Sequence, residues 1–275
     1  MAPDGRWYRF TTAVPLVLAV SLVAVGAVVP TLAGGVPANQ IPVADAAGDD
    51  EGLDAPDGAA WADIRAVEVP LASAPSSVPE AADTSVESMA VKAAITEDRF
   101  YLRLAWADAT ADEEITDMRT FADAAAVQLP VNTTTRPQIA MGSTRSPVNV
   151  WYWTPAGGAE DLLAGGPGTT TSFDDGAVEA SATHANGRWQ VVFARDLSAG
   201  PERTAIRSNR DLDVAVAVWN GSNSERSGRK AVSEWHTFAM GPGPQGPPYE
   251  AILWAVAGLA IVVVLVVTAL AVRRR

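Results

Sequence analysis

From Met89 the chain alternates. Met89, Val91, Ala93 and Ile95 fall on one side and Ala90, Lys92 and Ala94 on the other; after the polar turn Thr96-Glu97-Asp98, the residues Phe100, Leu102, Leu104 and Trp106 again share one side. A period of two places successive side chains on opposite faces of an extended strand, so the two runs predict a hairpin with one face in a core. Lys92 falls on the opposite, solvated face. Similar runs at 64–71, 123–129, 147–153, 177–182, 188–195 (behind the Asn186-Gly187 turn), 212–219 and 233–240 predict further strands. Only 112–121 has a helical period, and it is faint. Short strands punctuated by turn residues predict an all-β domain, a two-sheet β-sandwich, with long loops at 130–147, 155–171 and 220–230.

The pattern changes at both ends. Arg6 and Arg9 precede an apolar run over 13–33, bracketed internally by Pro15 and Pro30, so residues 1–34 read as a signal peptide or a signal anchor. Residues 35–60 carry Gly, Pro, Ala and six acidic side chains without an apolar period, which predicts a flexible acidic linker. The folded domain is expected over 61–240. A Pro/Gly spacer, 241–250, leads to residues 251–272, which contain no charge and as a helix extend about 33 Å. That length predicts a transmembrane helix. Arg273, Arg274 and Arg275 follow it and should stay cytoplasmic, which makes the chain a cell-membrane protein with a single C-terminal anchor and an extracytoplasmic domain.

Composition narrows the chemistry. The 275 residues include 32 Asp and Glu against 20 Lys and Arg, a net charge of −12 that argues against nucleic acid as a partner. Acidic surface with scarce lysine suits a protein that stays soluble in strong salt. There is no cysteine, which excludes disulfides, thiolate zinc sites, iron–sulfur clusters and covalent c-type haem. His184 and His236 are the only histidines, so a metal centre must use few protein ligands or unusual ones.

Among the 20 basic residues only Lys92 and Lys230 are lysines. Lys230 lies at the end of a Gly-punctuated loop, 220–230, between runs ending in Trp219 and Trp235. A loop lysine is usually a solvated charge. Held in a dry site, its amine would instead lose its proton more readily and offer a lone pair as base, nucleophile or metal ligand. Trp151, Trp153, Trp219 and Trp235 have a parallel ambiguity, as core residues or as a flat ligand-binding wall. Phosphate-cradling glycine loops, a Gly-x-Ser-x-Gly elbow and His-Glu-x-x-His are absent from the sequence. The adjacent pairs Glu113-Glu114 and Asp174-Asp175 read as solvated loop charge.

Four motifs occur in order: Trp106-Ala107-Asp108; Phe121-Ala122-Asp123 continuing to Leu129-Pro130; Met141-Gly142 followed by Pro147 to Trp153; and Val218-Trp219-Asn220-Gly221-Ser222-Asn223 with Arg229-Lys230 and Trp235. This series resembles the haem b-binding gamma subunit of the type II dimethyl-sulfoxide-reductase family, found with ethylbenzene, dimethylsulfide, selenate and chlorate molybdenum enzymes and with haloarchaeal nitrate reductases. The resemblance spans about 61–238. It implies a β-sandwich holding one haem b between a methionine and a lysine, which fall here at Met141 and Lys230 as axial iron ligands, with Arg145 a candidate propionate partner. It implies an electron-transfer subunit with no catalysis of its own, in complex with a molybdenum catalytic subunit and an iron–sulfur subunit. The C-terminal anchor departs from the soluble members and points to a respiratory enzyme, nitrate reductase first, fed from quinol through a membrane cytochrome b. The alternative is a surface-anchored β-sandwich binding carbohydrate through its tryptophans.

Overall fold

The computed structural model describes residues 39–48, 50–198, 200–241 and 249–273. Contacts divide the chain into two units, one of them 39–243, in which the described residues form fourteen strands. In chain order these are β1 (Gln40–Asp45), β2 (Val67–Pro70), β3 (Ala72–Ser73), β4 (Ser88–Ile95), β5 (Arg99–Ala107), β6 (Ala124–Pro130) and β7 (Val148–Thr154). They continue as β8 (Gly158–Ala164), β9 (Thr170–Ser172), β10 (Val178–Ala185), β11 (Arg188–Asp196), β12 (Leu212–Trp219), β13 (Ala231–Val232) and β14 (His236–Ala239). A 3-10 turn at Ala59–Trp61 buries Trp61.

The expected hairpin forms as β4–β5, with Val91 opposite Leu104 and Ala93 opposite Leu102. Asn186 and Gly187 have φ of 53° and 69°, the left-handed pair that a two-residue hairpin turn requires, and they close β10 onto β11. The domain is mostly β, as its pattern predicts. Where two separate sheets were expected, hydrogen bonds run unbroken through the order β10-β11-β5-β4-β1-β14-β12-β6-β7-β8-β9. Next to the middle of that path lies β1, parallel both to β4 (Val43 opposite Ala93) and to β14 (Ile41 opposite Phe238).

The sheet curls so that its two halves face one core. Phe100 of β5 meets Trp151 of β7 at 6.3 Å between ring centroids and Phe238 of β14 at 5.2 Å; Trp153 of β7 meets Trp189 of β11 at 5.1 Å. Edge-to-face contacts of this kind add to the area that aromatic rings bury. Arg195 of β11 is also buried between the halves, donating to Asn149 Oδ1 at 2.9 Å with its guanidinium over the Trp151 ring.

Three further expectations change. Residues 40–45, placed within the flexible linker, form β1, with Ile41 and Val43 buried. Asp45 at its end is exposed, and the acidic content of the surrounding segment conceals a strand only two core residues deep. The expected loop at 155–171 contains β8. Its sequence, Gly-Ala-Glu-Asp-Leu-Leu-Ala, has no β-branched residue, and pairing with β7 along its whole length imposes the extended form. No helix forms at 112–121, which runs as loop with exposed Ile115 and Met118.

In the other unit the described residues form a helix, α1 (Tyr249–Arg273), of 25 residues. Among the described residues no helix is long and apolar enough to be assigned a membrane crossing, so the span read at 251–272 is not established by the fold. The signal or anchor segment read at 1–34 lies outside the described residues, as does most of the spacer at 241–250.

Candidate functional site

Strand alternation that sends Val127, Leu129, Trp151, Trp153, Val214, Val216 and Val218 into the core sends their neighbours to the outer face of β12, β6, β7 and β8. An outer face of an antiparallel sheet is ordinarily polar. Here it carries a second apolar cluster: buried Ala126, Val148, Val150, Ala164, Ala215 and Trp235, with Ile139, Met141, Tyr152, Leu162, Ala217 and Trp219 packed against it. The side chains from the middle strands are small. Ala126, Ala215 and Ala217 floor a cavity of about 460 Å³, a volume typical of small-molecule and cofactor sites.

Of the loops that wall this cavity, two each present one of the two predicted ligands. Met141 lies in the 131–147 loop with φ 61°, a left-handed conformation that is uncommon for a side chain of its size. The backbone is held there. Met141 N–H donates to Ile139 O at 2.9 Å, Gly142 N–H donates to Gln138 O at 3.0 Å, and the Gln128 side-chain amide of β6 donates to Ile139 O at 3.1 Å. Gly142 follows with φ 67°, and a Cβ on it would stand 2.5 Å from Ser146 O, so the turn admits only glycine.

Lys230 immediately precedes β13, and its carbonyl accepts from Ala74 N–H at 2.9 Å. Its neighbour Arg229 donates to Glu80 and to Asp83, at 2.9 and 2.8 Å. Lys230 instead lines the cavity, with Nζ 4.8 Å from the Trp219 ring centroid. Among the described residues no carboxylate lies within ion-pair distance of it. Burial lowers its pKa from the ordinary lysine value, since the charged form loses solvation without gaining a partner. Trp219 is itself fixed, edge-on to Tyr152 at 5.6 Å and donating from its indole to Ser227 O at 3.1 Å.

The loop carrying Lys230 is fastened by a residue that the sequence did not single out. Glu225, 1% exposed, accepts from Ser85 N–H at 2.8 Å, Ser85 Oγ at 3.0 Å, Asn220 N–H at 3.1 Å and the Asn223 amide at 3.0 Å. Its position in a polar loop gives no signal of burial. Gly221 at the root of the same loop lies against Phe121: a Cβ there would be 2.0 Å from the Phe121 carbonyl oxygen.

The other sequence candidates separate. Trp151 and Trp153 are core residues, Trp235 is buried, and only Trp219 of the four borders the cavity, so the proposed tryptophan wall does not assemble. Arg145 is exposed and does not line the cavity. A thioether and an amine whose proton burial makes easier to lose, both lining a cavity with an apolar floor, form a donor set suited to a softer transition metal held in an apolar, planar macrocycle. The residues present therefore fit a haem.

Residues 58–172 and 164–231 match the family model described as ethylbenzene dehydrogenase. The chain is 56% identical, over 96% of its length and 95% of the relative's, to a protein of Haloferax mediterranei named as a respiratory nitrate reductase heme subunit. It is 34% identical to the chlorate reductase subunit gamma of Ideonella dechloratans, covering 74% of this chain and 86% of that one. With the dimethylsulfide dehydrogenase subunit gamma of Rhodovulum sulfidophilum the identity is 31%, over 70% of this chain and 77% of the relative. Among solved structures, a family 9 carbohydrate binding module of Caldicellulosiruptor kristjanssonii superposes with a TM-score of 0.45 at 10% identity, covering 76% of this chain and 99% of that one, a likeness too distant to carry a ligand across. The family match over most of the described domain, together with these relatives, shows that the chain belongs to the ethylbenzene dehydrogenase family.

Proposed function

We propose that this chain is the haem b electron-transfer subunit of a respiratory nitrate reductase, anchored to the membrane with its β domain outside the cell. The reading is supported first by its 56% identity, over nearly its whole length, to a nitrate reductase heme subunit. It is not itself an enzyme. Electrons pass through it to a partner that carries the molybdenum, with an iron–sulfur subunit and a membrane cytochrome b as the further members of the complex.

Met141 and Lys230 are the residues that would hold the iron, and a bound haem b would supply one-electron exchange there. Burial prepares Lys230 by disfavouring its protonated form. The left-handed backbone at Met141 is held by the hydrogen bonds of its loop, and the alanine floor leaves space for a flat group beside largely apolar walls. A soft sulfur ligand would favour the reduced iron. The anchor is proposed at 251–272 within α1, with the terminal arginines on the cytoplasmic side.

The full-length chain, produced with haem available and purified in detergent and high salt, tests the reading. A Soret band, sharp low-spin bands on reduction and extractable non-covalent protohaem are expected. A folded protein that remains colourless after haem titration would refute it.

A further inference from the structure

The geometry points to a divalent-cation site, of the oxygen-rich kind that takes Ca²⁺, formed by Asp108, Asp112 and Asp123 where the connection from β5 to β6 folds against the root of the 220–230 loop. One carboxylate oxygen from each residue lies within 4.8 Å of the others. Two oxygens on opposite sides of a Ca²⁺ ion are about that far apart, at about 2.4 Å from the metal each. Asp108 is 4% exposed and Asp123 is fully buried.

The hydrogen bonds at this cluster come from neutral donors. Asp123 accepts from Gly221 N–H, Asp112 N–H and the Trp189 indole, each at 2.8 Å. Thr110 serves Asp108 Oδ1 through its N–H at 3.2 Å and Asp112 through its hydroxyl at 2.8 Å. The other Asp108 oxygen, Oδ2, is buried with no hydrogen-bond partner. Among the described residues, no Lys or Arg forms an ion pair with any of the three. A buried acceptor left bare beside two further carboxylates is costly, because charge removed from water needs a countercharge. Burial first, and the Asp123 charge second, push the Asp108 pKa up to about 6; burial also raises that of Asp123, to which Asp112 adds. A cation among the three would complete Asp108 and cancel the repulsion. It would also pin the end of β5 and the start of β6 to Gly221, at the base of the loop that carries Lys230.

The site does not depend on the cofactor reading. The full-length chain, freed of divalent metal with a chelator and kept in excess potassium chloride, would be titrated with Ca²⁺ and, separately, with Tb³⁺. Trp189, bonded to Asp123, is placed to sensitise Tb³⁺ luminescence. Expected are one equivalent of sensitised emission, its displacement by Ca²⁺, and a rise of several degrees in unfolding temperature with Ca²⁺. Asp108→Asn should weaken binding tenfold or more, and Asp112→Asn, at the more exposed member, serves if that variant does not fold. Asp174→Asn, in a distant exposed loop, should bind as the parent does. Trp189→Phe should dim the emission while the Ca²⁺ stabilisation persists. No response of the stripped chain to Ca²⁺, an equal response to Mg²⁺, or emission indifferent to Asp108→Asn and Asp112→Asn would overturn the assignment.

Discussion

Lys230 holds its Nζ 4.8 Å from the centre of the Trp219 ring, on the wall of the cavity that Met141 also lines. Cation–π attraction partly compensates a charged amine for lost water, but burial dominates and the pKa falls. Burial thereby makes the proton easier to lose, which is what ligation of a metal through the amine lone pair requires.

Met141→Ala and Lys230→Ala should each leave the far-ultraviolet circular dichroism unchanged and alter the low-spin haem spectrum. Either ligand removed should weaken haem retention by at least the ~10–100-fold that outer-sphere partners of metal sites command. Haem titrations followed at the Soret band provide the measurement, and a spectrum identical to the parent in both variants would refute the ligand pair.

The cofactor-free chain should be stabilised by Lys230→Met at neutral pH. Below the depressed pKa the lysine is charged in both folded and unfolded chains, and only the folded chain bears the desolvation cost. That cost fades as pH rises from the depressed value through the ordinary lysine range, above which both states are neutral. Denaturant midpoints of the two apoproteins should therefore differ most near neutrality and converge in alkali.

Ala217→Leu should block cofactor uptake while leaving stability within about 0.5 kcal/mol of the parent, because Ala217 is only partly buried and the added bulk rises into the cavity instead of the core. Haem binding and denaturant unfolding of the same preparation separate the two effects. A large loss of stability would show that the floor is tightly covered by protein.

Glu225→Ala should destabilise the domain by about 1–3 kcal/mol, since it strands the buried N–H of Asn220. Unfolding midpoints measure this loss. Because the Lys230 loop is what Glu225 fastens, haem affinity should fall as well.

How much of this could be read from sequence depended on whether a residue's neighbours in the chain are also its neighbours in space. The β4–β5 hairpin was legible because its apolar period and its turn are local. Met141 and Lys230 were singled out through a family resemblance, and the fold places both on the lining of one cavity. Glu225 was not, because its partner Ser85 lies on a remote segment and a glutamate in a polar loop looks solvated. The strand β8 was missed because pairing with β7 overrides a composition that favours helix, and β1 because two buried residues make too short a pattern. Asp108 and Asp123 lay inside recognised motifs, yet only the fold brings them together with Asp112.

The place of β1 bears on how the chain matures. Gln40 pairs with Thr237, so the centre of the sheet joins the first strand of the domain to its last. Neither half of the sheet is closed until the final strand has been made, and such long-range pairings form late. On the topology proposed above, the polypeptide stays threadable for as long as any of the domain remains to be exported, and its clasp shuts only on the far side.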